Sequence, residues 1–221
     1  MKTYNELQEG VYDPNIFKAI FLAGGPGSGK SYVVQRTTGG LGMKIVNSDT
    51  AFEKLIKDAG ISLDLRKMEP KTRDVIRGRA KKLTKKRQKN YIKGRLGLIV
   101  DGTGHDYEKI AKQAGSLANL GYDIHMIFVN TSLDVALERN EMRSRKLPTD
   151  LVTQAWKDVQ KNLGKFSSFF KGNFIIVDNN SSDENPMIDV FKRVRALVKE
   201  KVTNSRAKAW IARELKLKKR T

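Results

Sequence analysis

Residues 24–31 read Gly-Gly-Pro-Gly-Ser-Gly-Lys-Ser, which satisfies G-x-x-x-x-G-K-[ST], the pattern of a phosphate-gripping loop. The glycines let backbone N–H groups close around a polyphosphate, because no Cβ crowds the approach. A helix following the loop adds unpaired N–H groups and its positive dipole end. Lys30 is placed to reach the β- and γ-phosphates, and the Ser31 hydroxyl to ligate Mg²⁺. Gly25, Pro26, Gly27, Ser28, Gly29, Lys30, Ser31 and Tyr32 are therefore the expected contacts of a nucleoside triphosphate, with ATP and Mg²⁺ the expected cofactors.

Moving a phosphoryl group also requires a residue that orients or deprotonates the nucleophile, and cations on the migrating charge. Asp49 follows the apolar run Met43-Lys44-Ile45-Val46-Asn47. A carboxylate there either takes a hydrogen bond from an acceptor hydroxyl or, with Thr50 as the other candidate, caps the next helix. Asp101 follows Leu98-Ile99-Val100. It joins the Mg²⁺ shell, contacts the acceptor or a lid arginine, or serves only the Asp-Gly turn. Arg139 and Arg143 stand four apart and so share one helical face, with Arg145 and Lys146 following before Pro148. That cluster suits a lid over about 139–150 that closes on the phosphates; the plainer reading is a surface helix with solvated charges such as Glu138 and Glu141.

These residues act together only if the chain brings them to one place. Apolar runs at 19–23, 43–47, 98–100, 122–129 and 174–177 alternate with helical stretches. The helices are expected after the loop, at 50–58, from about 70 to 93, at 106–120, from Ser132, along Val152, Trp156, Val159 and Leu163, and at 186–202. The last carries a stripe that includes Met187, Val190 and Val194, and the 70–93 helix a narrow one of Ile76, Ala80, Leu83 and Tyr91. The alternation predicts an α/β fold: a P-loop NTPase-type three-layer sandwich with a five-stranded parallel sheet and helices on both faces. In such a sheet ligands gather at the carboxyl ends of the strands, where the loop, Asp49 and Asp101 all fall.

Charge adds a second theme. The 221-residue chain has a formal charge of +19, and residues 71–95 hold twelve Lys or Arg against one acid, Asp74. Residues 201–221 hold eight against one, Glu214, so the rest is near neutral. Localised basic charge is either the footprint of a polyanionic partner or a pair of solvated helix faces. The expected organisation is a domain over 1–202, with its basic helix at about 70–94, followed by a basic helix or tail at 203–221. In that tail Trp210, Ile211 and Leu215 share one face, which packs back on the domain or orders on a partner. The absence of cysteine excludes disulfides and thiolate chemistry, and His105 and His125 are too few for zinc, with His125 a structural residue inside a strand. No apolar run reaches membrane-spanning length and no signal-peptide core is evident, so a cytoplasmic protein without a membrane partner is expected.

The order of these features resembles P-loop kinases of the zeta-toxin and polynucleotide-kinase group. The resemblance spans about residues 17–180 and rests on the loop, Asn47-Ser48-Asp49, Asp101-Gly102-Thr103, Gly121-Tyr122 and Arg139-Asn140-Glu141-Met142-Arg143 leading to Leu147-Pro148. It implies that Asp49 is the base on the acceptor hydroxyl, that Arg143 is the lid arginine with Arg139 beside it, and that Asn179 in Val177-Asp178-Asn179 borders the adenine. One position departs: polynucleotide kinases carry an arginine three residues after the base, where this chain has Phe52. The expected function is a kinase moving the γ-phosphate of ATP to a hydroxyl acceptor. The basic segments favour a 5′-hydroxyl nucleic-acid end, and Phe52 favours a nucleotide sugar or other small metabolite. An ATP-gated nucleic-acid-binding module without acceptor phosphorylation is the reading from another class.

Overall fold

A computed structural model describes residues 10–181 and 185–219 of the chain. Strands β1 (Lys18–Ala23), β2 (Lys44–Val46), β3 (Leu98–Asp101), β4 (Asp123–Asn130) and β5 (Phe174–Asp178) form one parallel sheet in the order β2-β3-β1-β4-β5. β1 lies at the centre and is buried at all six positions, as a strand covered on both faces must be. The connection leaving β1 runs to β2 and the one leaving its neighbour β3 runs the opposite way, to β4, which opens a crevice at their carboxyl ends.

The helices are α1 (Lys30–Thr38), α2 (Ser48–Asp58), α3 (Pro70–Lys93), α4 (Tyr107–Asn119), α5 (Leu133–Met142), α6 (Thr149–Phe170), α7 (Asn185–Lys199) and α8 (Ser205–Lys219). Alternate residues of β1 enter different cores. Ile20 and Leu22 pack with Val33 and Val34 of α1 and Val190 and Val194 of α7. Ala19, Phe21 and Ala23 belong to the opposite core, built with α4, α6 and α8 through residues such as Ala114, Val159 and Ala207. The three-layer sandwich expected from the alternation is present. Met187 of the predicted α7 stripe has a side chain outside the described set.

Helices α2 and α3 stand apart as an arm with its own apolar cluster of Phe52, Ile56, Leu65, Met68, Ile76 and Ala80. Pro70 at the first turn and the Glu69 side chain, which accepts from the Thr72 amide, start α3. Leu83 is 46% exposed, against the stripe expectation. The reason is length: α3 has 24 residues and α2 has 11, so past Ala80 there is no α2 left to pack on. Tyr91 and Ile92, at the far end, rejoin the main core.

The basic tail packs back on the domain. Ala207 is fully buried beside Gly121, Trp210 meets the Phe17 ring edge-on at 5.5 Å, and Arg206 donates to the Asn119 carbonyl at 2.7 Å. His125 is buried within β4. Among the described residues no cluster of three or more metal-ligating side chains occurs, and no helix is long and apolar enough to cross a membrane.

Candidate active site

The loop after β1 is held by main-chain contacts that leave no room for side chains. The Gly24 amide donates to the Thr103 carbonyl at 3.0 Å, tying the ends of β1 and β3 together. Gly27 has φ 79°, and a Cβ on it would lie 2.1 Å from the Ala136 carbonyl of α5. Gly29, with φ 82°, would place a Cβ 2.2 Å from Asn179 Nδ2. Glycine is thus required at both, by backbone sign and by space. Behind the loop, Trp156 of α6 backs Gly25 and donates from Nε1 to the Thr131 carbonyl at 2.8 Å.

Lys30 folds across the loop, its Nζ donating to the carbonyls of Gly24 at 2.6 Å and Gly25 at 3.0 Å. Burial lowers its pKa, against the pull of nearby Asp101. The Ser28 hydroxyl is buried without a hydrogen-bond partner among the described residues. An orphaned donor beside the α1 N-terminus is what a loop built for a phosphate oxygen presents. Ser31 and Asp101 line one cleft of about 390 Å³ with Asn47 and Thr50. Both offer oxygen ligands, and a magnesium ion takes one or two such groups together with substrate phosphates and water. The residues present fit the nucleotide and the cation. Tyr32 is exposed, with the Arg36 guanidinium stacked over its ring at 5.4 Å.

Asp49 sits in the first turn of α2, but neither it nor Thr50 is the cap. The cap is Asn47, whose Oδ1 accepts from the Asp49 amide at 2.6 Å while its Nδ2 donates to Asp101 Oδ2 at 2.5 Å. The Asp49 carboxylate is thereby free for long-range partners: it accepts from Arg77 of α3 and, at 3.1 Å, from Arg145 Nη2. Burial alone would raise its pKa, but the Arg145 hydrogen bond and the charges of Arg145 and Arg77 outweigh it and hold the group at about 2. Asp101 moves the other way, raised by burial first and by Asp49 next to it, with Lys30 opposing.

The lid arginines separate. α5 ends at Met142 and Arg143 takes an extended backbone (φ −84°, ψ 148°), so Arg139 and Arg143 do not share a helical face, contrary to their spacing. Arg139 donates to the Asn179 carbonyl at 2.7 Å. Asn179, 6% exposed, donates in turn to the Ser28 carbonyl at 2.8 Å, so its amide props the loop. Burial and then the Arg145 charge lower the pKa of Arg143, with Glu53 and Asp49 opposing. The segment 143–146 is clamped at its base, Asn140 donating to the Leu147 carbonyl at 2.9 Å and accepting from its amide at 3.1 Å.

Two partners of Asp49 escaped the sequence reading, which had Arg145 only as a member of the lid cluster. Arg145 is buried, bonded to Asp49 and 3.1 Å from Glu53. Arg77 looked like one more charge of the basic helix. Its only signal was its place next to Ile76, on the flank of the buried stripe.

A glycine-rich loop from the central strand into α1, in a sheet ordered β2-β3-β1-β4-β5, defines a P-loop domain of the kinase type. The chain belongs to the AAA domain family, whose model matches residues 20–166. Its fold is similar to that of a candidate kinase from Chloroflexus aurantiacus J-10-fl (17% identity, 81% of this chain and 97% of that one, TM-score 0.59). It is also similar to a gluconokinase from Sinorhizobium meliloti 1021 (16% identity, 83% and 92%, TM-score 0.50). A third similarity is to a chain of the Pnkp1/Rnl/Hen1 RNA repair complex (18% identity, 68% of this chain but 46% of that one, TM-score 0.53). At these identities the likeness is one of fold. No curated protein matches the chain in sequence.

Proposed function

We propose that the chain is an ATP-dependent phosphotransferase acting on a hydroxyl acceptor, in the manner of the zeta-toxin and polynucleotide-kinase group, with a 5′-hydroxyl nucleic-acid end as the acceptor. The observation that carries this reading is the gathering of polar groups at the strand ends: Asn47 bonds both the Asp49 amide and the Asp101 carboxylate, Arg145 bonds the Asp49 carboxylate, and Lys30 folds across the loop. In this reading residues 25–32 hold the triphosphate, and Ser31 and Asp101 hold Mg²⁺. ATP supplies the phosphoryl group, whose transfer asks mainly for positioning and charge stabilisation.

Asp49 is ionised at neutral pH and accepts a hydrogen bond from the acceptor hydroxyl, holding its oxygen in place. So weak a base takes the proton only as transfer advances, which a loose transition state permits. To receive the hydroxyl, Asp49 gives up part of its bonding to Arg77 or Arg145. Arg145 and Arg143 keep two guanidinium groups beside Lys30, where charge on the migrating group is stabilised.

The basic surface of α3 favours a polynucleotide acceptor. A feature of the sequence favours the small-metabolite alternative: Phe52 stands where polynucleotide kinases carry an arginine. Incubation with labelled ATP, 5′-hydroxyl oligonucleotides and sugar nucleotides separates the readings. Label on the oligonucleotide is expected. Label on sugar nucleotides alone supports the alternative, and label only in free phosphate contradicts acceptor transfer.

A further inference from the structure

Arg77, Lys81, Lys85 and Lys89 recur at every fourth position of α3. Residues so spaced are neighbours on a helix surface, with about 6 Å of axis between them. The row begins at the cleft: Arg77 bonds Asp49, and its guanidinium lies over the Phe52 ring at 4.3 Å. It then rolls away from the buried face, and Lys81, Lys85 and Lys89 are exposed with no carboxylate in ion-pair range among the described residues. Arg73, one step earlier, is already paired with Asp74. Like charges at this spacing weaken a helix, so the row opposes its own fold unless an anion lies along it.

We propose that a single-stranded polynucleotide runs along this row, its 5′-hydroxyl end at Asp49, its first phosphodiester on Arg77 and the next three on Lys81, Lys85 and Lys89. The register rests on the reading of Asp49 as the acceptor's partner. Lys82 and Lys86, also exposed, border the row on one side, and its regular step matches a ligand that repeats one charge per unit. Phe52 lies beneath Arg77 and is fully buried, so the cation that meets the acceptor comes from α3 rather than from α2.

The test is the salt dependence of binding of a fluorescent 5′-hydroxyl oligothymidylate to the full chain, read by anisotropy. Each phosphate neutralised contributes about 0.7 to the slope of log K against log[salt]. Lys81→Gln/Lys85→Gln/Lys89→Gln should therefore flatten the slope by about 2. Lys208→Gln/Lys216→Gln/Lys219→Gln removes equal charge from exposed positions of α8, which packs at the amino end of β1, and should leave it nearly unchanged. Equal flattening by both variants, or no flattening by the first, overturns the assignment. So does an equal effect of the first variant on a blunt duplex. An oligonucleotide that binds with this dependence yet takes no label contradicts the nucleic-acid-acceptor reading and leaves the row standing. Label transfer with an unchanged slope does the reverse.

Discussion

On the nucleotide side of the cleft, the loop is fastened by main-chain bonds, glycines pressed against neighbouring carbonyls, and one amide strut from Asn179. On the side proposed to meet the acceptor, Asp49 is held by side chains that arrive from 28 and 96 residues away, on an arm whose small core is separate from the two that flank the sheet. The first wall is a fixed mould for a ligand of invariant shape. The second is a set of ion pairs that, in the proposed reading, trade an arginine for a hydroxyl or a phosphate. Leu147 packs on the arm's core, which couples the arm to the clamped loop carrying Arg143 and Arg145.

If the walls differ in this way, substitutions should fail differently on each. The largest effect is expected from Gly27→Ala, since a Cβ would lie 2.1 Å from the Ala136 carbonyl at a positive φ. Nucleotide binding, read by calorimetry, should be abolished; retained binding would show that the mould yields. Next comes Arg145→Lys, which keeps the charge and loses the fork. Turnover should fall by about 10²-fold with nucleotide affinity nearly unchanged. An equal loss in Arg139→Lys would erase the distinction between the strut arginine and the acceptor-side one. Asn179→Ala should leave chemistry in place but cost about 1–2 kcal/mol by denaturant midpoint, because the Ser28 carbonyl loses its partner.

The smallest effect concerns pH. Asp49 has a folded-state pKa of about 2 against an ordinary 3.8, so its ion pairs contribute stability that is complete above the ordinary value and lost as pH falls through about 2. The melting-temperature advantage of the wild type over Asp49→Asn should therefore shrink between those values. A steady advantage would mean the arginines do not bind the carboxylate.

The same contrast explains what could be read from the chain. Strand order aside, the sheet, its two covers and the phosphate loop follow from local patterns: apolar alternation, a glycine motif and helix periodicity over contiguous residues. Asp49 and Asp101 were legible because strand ends in such a sheet face the ligand. The pairing of Arg77 and Arg145 with Asp49 was not, since a guanidinium paired across the fold looks in sequence like any charge in a basic helix or turn. Arg139 and Arg143 misled for a related reason: spacing of four implies a shared face only while the helix continues, and it stops between them. Asn179 was placed by resemblance at the nucleotide, whereas the amide hydrogen bond that occupies it depends on packing between β5 and the loop.

The central claim is that the Asp49 carboxylate faces the acceptor while the loop alone holds the nucleotide. It is tested most directly by transfer from γ-labelled ATP to a 5′-hydroxyl oligonucleotide, with wild type and Asp49→Asn compared at matched nucleotide occupancy. The account predicts labelled acceptor with the wild type, and in the variant an unchanged nucleotide Kd with transfer reduced by about 10²–10⁴-fold. Transfer by Asp49→Asn at the wild-type rate, or loss of nucleotide binding together with transfer, would contradict it.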